Sequence, residues 1–131
     1  MTDQKASCSC GQLTAEVSGH PVRISVCHCT ACQRRTGSVF GQQARFEAAN
    51  VKCKGESSVY KRQGDSGGTA EFHFCPQCGS TVYFYLDSLP DLIAIPVGAF
   101  ADPTFPAPTI SIYEERMHDW VEMPTEMEHI P

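Results

Sequence analysis

Seven cysteines gathered into three clusters constrain this chain more than any other feature. Cys27, Cys29 and Cys32 lie within six residues, and Gln33-Arg34-Arg35-Thr36-Gly37 follows at once. Cys8-Ser9-Cys10-Gly11 stands upstream and Cys75-Pro76-Gln77-Cys78-Gly79 downstream. Cys-x-Cys and Cys-x2-Cys spacings bring several sulfurs of one loop onto a single soft cation. The outer pairs supply four thiolates, a saturated tetrahedron that ties the N-terminal strand to the middle of the fold and leaves no position for a substrate. Gly11 and Gly79 follow those pairs and let backbone amides approach the sulfurs in tight turns. The central cluster supplies only three thiolates, so a fourth position is either open or closed by His28, His73, Cys53 or His118.

Eight cysteines in a chain of 131 residues point to metal where the compartment is reducing and to disulfides where it is oxidising. The start, Met1-Thr2-Asp3-Gln4-Lys5, lacks the apolar stretch of a secretory signal, which points to the cytoplasm and to metal. A formal net charge of −5 argues against nucleic acid or an anionic membrane as the main partner. No apolar run approaches the roughly 18–20 residues of a membrane span. Length and the absence of a linker make residues 1–131 one zinc-binding domain; its oligomeric state is open.

Period-two alternation dominates, and the expected fold is all-β, built of about eight to ten short strands pinned by zinc. Residues 1–7 read as a polar tail. Strands are expected within 11–17, across Val22, Ile24 and Val26 into Cys27, over 39–46, 69–74, 81–86, 92–100 and 110–113. Val82, Phe84 and Leu86 read as one face of a strand and Tyr83 and Tyr85 as the other. A hairpin is expected around Lys54-Gly55-Glu56-Ser57, with Cys53 as a small buried filler beside Val51. Residues 63–68 read as a glycine-containing loop, and Pro96 predicts a bulge or a sheet edge. Residues 29–35 hold at most a short helical turn, stopped at Thr36-Gly37-Ser38.

The three-thiolate set also indicates reactivity. Three negative charges on a divalent ion weaken its pull on a bound water, so hydrolysis by a metal hydroxide is not its natural use. A soft, electron-rich zinc suits an external thiol held as a nucleophilic thiolate. Arg34 and Arg35 could offset the charge and grip a carboxylate of that thiol, or form a solvated basic turn. The amides of Thr36-Gly37-Ser38 could face the same anion.

The order Cys-x-Cys-Gly, then Cys-His-Cys-x2-Cys-Gln-Arg-x-Thr-Gly, then Phe-Cys-Pro-x-Cys-Gly-Ser resembles the glutathione-dependent formaldehyde-activating enzyme family, which includes centromere protein V-like proteins. The similarity covers nearly the whole chain and ends in a tail containing Trp120. The resemblance implies a β-tent fold of short antiparallel strands. It implies a structural zinc at Cys8, Cys10, Cys75 and Cys78, and a second, catalytic-type zinc at Cys27, Cys29 and Cys32. It further implies carbon–sulfur lyase chemistry, in which a small-molecule thiol, glutathione, adds to the aldehyde formaldehyde. Two other readings stand beside it. One is a non-catalytic binding module with both zincs structural. The other is a redox enzyme on a similar fold, such as a methionine sulfoxide reductase, for which only Cys53 remains as nucleophile.

Overall fold

A computed structural model describes residues 3–64 and 67–131. In chain order the elements are β1 (Gln4–Ser7), β2 (Thr14–Val17), β3 (Arg23–Cys27), α1 (Thr30–Thr36), β4 (Gly41–Glu47), β5 (Val51–Lys54), β6 (Ser58–Gln63), β7 (Thr69–Phe74), β8 (Thr81–Leu86), β9 (Leu92–Pro96), β10 (Ile110–Ile112) and β11 (Glu128–His129). Three single turns of 3-10 helix, Ala48–Asn50, Val97–Phe100 and Glu114–Arg116, complete the set. The protein is thus all-β with one short helix. Among the described residues no helix is long and apolar enough to cross a membrane.

The strands form two sheets. The smaller has the order β1-β2-β5, and the larger runs β11-β10-β3-β4-β9-β8-β7-β6. All pairs are antiparallel except β3 with β10 and β10 with β11. The main core lies between the sheets, where Ala6, Leu13, Ala15 and Val17 meet Ile24, Ala44, Phe46, Ile93 and Ile95. Period-two geometry then sends the alternate residues of the larger sheet to its other face: Cys27, Ser25, Gln43, Arg45, Ala94, Phe84 and Phe72. Phe72 and Phe84, with Ala70 and Ala94, form a small second cluster there. This second face carries Cys27 and, beside it, the helix with Cys32.

Several expectations need correction. Residues 4–7 are a strand rather than tail, because Ala6 is fully buried and the segment pairs with β2; Met1 and Thr2 lie outside the described residues. The turn at 54–57 does not close a hairpin. β5 pairs with β2 and β6 with β7, so the chain crosses between sheets there. Gly55 is needed for another reason: at φ +99 a Cβ would stand 2.0 Å from the Gln12 carbonyl oxygen. β9 is an interior strand that stops at Pro96, and a 3-10 turn takes over the rest of 92–100. An irregularity between His73 and Phe74 leaves Val82 as an extra residue, so it joins the main core apart from Phe84 and Leu86. Cys53 is exposed on β5, the outer strand of the smaller sheet, and is not core filler. Of the expected 63–68 loop, Asp65 and Ser66 lie outside the described residues.

Candidate metal centres and the cavity beside them

Two tight turns face each other across the end of the main core. One runs from Cys8 to Leu13, closed by Cys8 N–H donating to the Leu13 carbonyl at 2.9 Å; the other runs from Cys75 to Ser80, closed by Cys75 N–H donating to the Ser80 carbonyl at 2.9 Å. Gly11 (φ 88) and Gly79 (φ 82) take the left-handed backbone that both turns require. The four sulfurs of Cys8, Cys10, Cys75 and Cys78 all lie within 4.8 Å of one another, so they can hold one metal ion. Cys10 Sγ is 3.6 Å from both Cys8 Sγ and Cys75 Sγ. A tetrahedron with metal–sulfur bonds of about 2.3 Å has edges of about 3.8 Å, whereas a disulfide needs about 2.05 Å. The geometry fits a four-thiolate ion and not a bridge.

Amides already converge on these sulfurs. Leu13 N–H donates to Cys8 Sγ (3.3 Å) and Gln77 N–H to Cys75 Sγ (3.4 Å). Backbone donors, Ser80 first and then Cys10, pull the Cys78 thiol down to about 5. Gln12, which the sequence reading passed over, holds the arrangement together. Its Nε2 donates to Cys75 Sγ (3.0 Å) and to the Glu56 carbonyl (2.7 Å), and its Oε1 accepts from Glu56 N–H (2.9 Å).

The central cluster is built differently. Cys27 is the last residue of β3, Cys29 caps α1, and Cys32 lies in the first turn of that helix. Cys29 Sγ accepts from Cys32 N–H at 3.3 Å, and the three sulfurs lie within 4.8 Å of one another. Hydrogen bonds from Cys27 and Cys32 pull Cys29 down to about 2, while the bond with Cys29 pushes Cys27 far up. Gly41 pairs with Cys27 across the sheet. A Cβ at Gly41 would stand 3.0 Å from Arg35 Nη2 and 3.4 Å from Cys32 Cβ, so glycine lets α1 pack onto β4.

Among the described residues no fourth ligand joins this group. His28 is fully buried; its Nε2 shares a 2.9 Å hydrogen bond with Ser111 Oγ, and its ring edge meets Phe40. Burial holds His28 below the ordinary histidine range. His73 is engaged by Ser57 Oγ (2.9 Å) and Glu71 Oε2 (2.7 Å) and stacks on Tyr83. His118 meets Gln33 Oε1 at 3.0 Å. Cys53 lies in the smaller sheet, where the protein around its sulfur pushes the thiol up and a hydrogen bond with Tyr83 only partly opposes this. That state does not suit a nucleophile.

The cluster opens on a cavity of about 480 Å³ on the second face of the larger sheet. Arg34, Arg35, Arg45, Arg62 and Arg116 line it, against one carboxylate among the described residues, Asp87. A protein of net charge −5 therefore carries a concentrated positive site next to three thiols. Arg35 sits over Phe72 (5.4 Å to the ring centroid) and Phe84 (5.1 Å), and Arg62 over Phe72 (5.2 Å). Arg35 Nε and Nη2 and Arg62 Nε are buried without a hydrogen-bond partner among the described residues. The amides after the helix do not contribute as expected. Gly37 N–H is taken by the Gln33 carbonyl (2.8 Å) and Ser38 N–H by Thr36 Oγ1 (3.1 Å). The positive charge of the cavity wall therefore comes from the guanidinium groups and not from the turn.

In comparison with known proteins, no curated protein matches the chain. A crystal structure of a protein from Rhodobacter sphaeroides is similar in fold, with a TM-score of 0.60 at 22% identity over 78% of this chain and 91% of the other. The family model for the glutathione-dependent formaldehyde-activating enzyme matches residues 3–116, which include all seven clustered cysteines and α1. By that match over most of its length, the chain belongs to the glutathione-dependent formaldehyde-activating enzyme family.

Proposed function

We propose that this protein is a carbon–sulfur lyase-type enzyme that joins a thiol such as glutathione to formaldehyde or another small aldehyde, with zinc at both clusters. One observation carries the reading: a three-cysteine cluster without a fourth protein ligand among the described residues opens directly on an arginine-lined cavity. Cys8, Cys10, Cys75 and Cys78 would hold the structural ion, and Cys27, Cys29 and Cys32 the second. Zinc at the second site would favour the thiolate form of an incoming thiol near neutral pH.

The chain's own residues supply binding and orientation. Arg34 and Arg35 follow Cys32 on α1, so their charges reach a carboxylate of the ligand while its sulfur approaches the cluster. Phe72 and Phe84 form a dry wall under Arg35, which strengthens that contact by excluding water. The thiol sulfur forms a bond to the aldehyde carbon, the carbonyl π pair moves to oxygen, and oxygen gains a proton equivalent to the one the thiol loses. No oxidant or reductant is consumed. Eight unbonded thiols suit a reducing, cytoplasmic setting.

The test follows ¹³C-formaldehyde with glutathione by NMR exchange spectroscopy, with and without the zinc-loaded protein. Faster formation of the S-hydroxymethyl adduct than in buffer, lost in Cys29→Ser, supports the proposal. A wild-type rate equal to the buffer rate contradicts it.

A further inference from the structure

His28 separates two of the three clustered cysteines, yet thiol capture leaves it without a role. Cys27 and Cys29 line the cavity and His28 does not, so the alternation at the end of β3 sends its ring to the opposite side. There the residue is fully buried and tied at three points. Its backbone N–H donates to the Ile112 carbonyl at 3.1 Å, and its carbonyl accepts from Gln33 Nε2 at 2.9 Å. Its ring Nε2 meets Ser111 Oγ at 2.9 Å. Both β10 and α1 thus grip the one residue that stands between Cys27 and Cys29.

The neighbours of Ser111 set the direction of the ring's bond. His129 turns Nδ1 to Glu114 Oε2 (2.7 Å) and Nε2 to the Pro124 carbonyl (3.0 Å); both neighbours are acceptors, so both nitrogens donate. The Glu114 carboxylate also shares a hydrogen bond with Ser111 and can only accept it. The Ser111 hydroxyl therefore gives its one proton to Glu114, and its lone pairs accept from His28 Nε2–H. His28 Nδ1, buried without a partner among the described residues, is then a bare acceptor and not a stranded donor. Every donor in this chain points toward Glu114, so each bond reinforces the next. A leucine at position 28 would keep both backbone bonds but lose this chain.

We propose that His28, oriented by Ser111 and Glu114, is a positioning residue for the second metal site: its anchored ring stops the Cys27–Cys29 segment from turning and keeps both sulfurs on the cavity side. The proposal rests on the reading of Cys27, Cys29 and Cys32 as a metal site and makes a separate claim about what sets that site's affinity.

Titration of the cobalt-loaded protein with a chromophoric chelator gives the affinity of each cluster, with Cys29→Ser marking the outer one. His28→Leu and Ser111→Ala should weaken cobalt at the second cluster about 10- to 100-fold, the range for residues that orient metal ligands, and leave the outer cluster unchanged. His28→Gln, which can still donate to Ser111, should fall between His28→Leu and the wild type. A purely structural role would lower thermal stability but leave the second cluster's affinity and d–d bands at wild-type values, and that result overturns the proposal. Ser111→Ala carries the test if His28→Leu does not fold. A wild type that binds a single cobalt equivalent overturns the anchor and the metal reading together. If the variants lose affinity at the second cluster but glutathione leaves the wild-type spectrum unchanged, the anchor stands and the thiol reading fails.

Discussion

Cys75→Ser and Cys29→Ser should have opposite consequences for folding, because the two clusters close very different lengths of chain. Cys75 is fully buried at the end of β7, and Cys10, its neighbour at 3.6 Å, is 65 positions away. The central cluster spans only the five positions from Cys27 to Cys32. Loop-closure entropy grows as (3/2)RT ln n, so an ion at the outer cluster constrains the unfolded chain by about 2 kcal/mol more than one at the central cluster. Metal binding itself adds far more: a structural zinc contributes about 10–16 kcal/mol in small domains, comparable to the whole stability of about 5–15 kcal/mol. Cys75→Ser also removes the sulfur that Gln12 Nε2 now meets at 3.0 Å. The assay pairs metal content by plasma mass spectrometry with thermal unfolding by circular dichroism. Cys75→Ser should lose the cooperative transition, whereas Cys29→Ser should lose one metal equivalent and keep it. A Cys75→Ser protein that melts like the wild type would falsify the reasoning, and so would collapse of Cys29→Ser.

Ser111→Ala should leave His28 Nε2 buried without its 2.9 Å partner, at a cost of about 1–3 kcal/mol. Urea unfolding would show this as a lower midpoint at unchanged slope, and a wild-type midpoint would contradict it. The hydrogen bond with Glu114 raises His129 above its ordinary 6.5, so its stabilisation is full below that pH and fades as pH rises through the folded value. Burial raises Glu114, but hydrogen bonds with His129 and Ser111 and the charges of His129 and His28 together hold the carboxyl below 4.5, so that contribution is full above 4.5 and fades in acid. The melting-temperature gap between wild type and His129→Gln should therefore be widest between about pH 4.5 and 6.5; a gap that grows above pH 8 contradicts the pairing. Arg35→Gln should weaken glutathione binding about 10- to 100-fold, the loss of a charge-assisted hydrogen bond worth about 1.5–3 kcal/mol, and unchanged affinity by titration would count against its role.

What was legible in the sequence was local. Cysteines two and three residues apart lie in one turn, which gave each cluster, and counting the outer pairs against a tetrahedral ion gave the division into four and three sulfurs. The alternation before Cys27 and Cys75 likewise marked the strands that end there. What was not legible depended on pairing between distant segments. Gln-Lys-Ala-Ser has one apolar residue suited to the core, and it becomes a strand only because β2 offers an edge. Gly55 resembled a hairpin glycine, whereas its role is to admit the Gln12 carbonyl. The meeting of Arg35, Arg45 and Arg62 in one cavity comes from α1 and the two distant strands β4 and β6, and no window of sequence shows it. Val82 left its expected face because one irregular position shifted the alternation.

The central claim is that the three-cysteine cluster takes a thiol from the cavity beside it. The most direct measurement is the visible absorption spectrum of the fully cobalt-substituted protein, recorded while glutathione is added. The account predicts a saturable change in the d–d and thiolate charge-transfer bands, abolished in Cys29→Ser. An unchanged spectrum at saturating glutathione would contradict it.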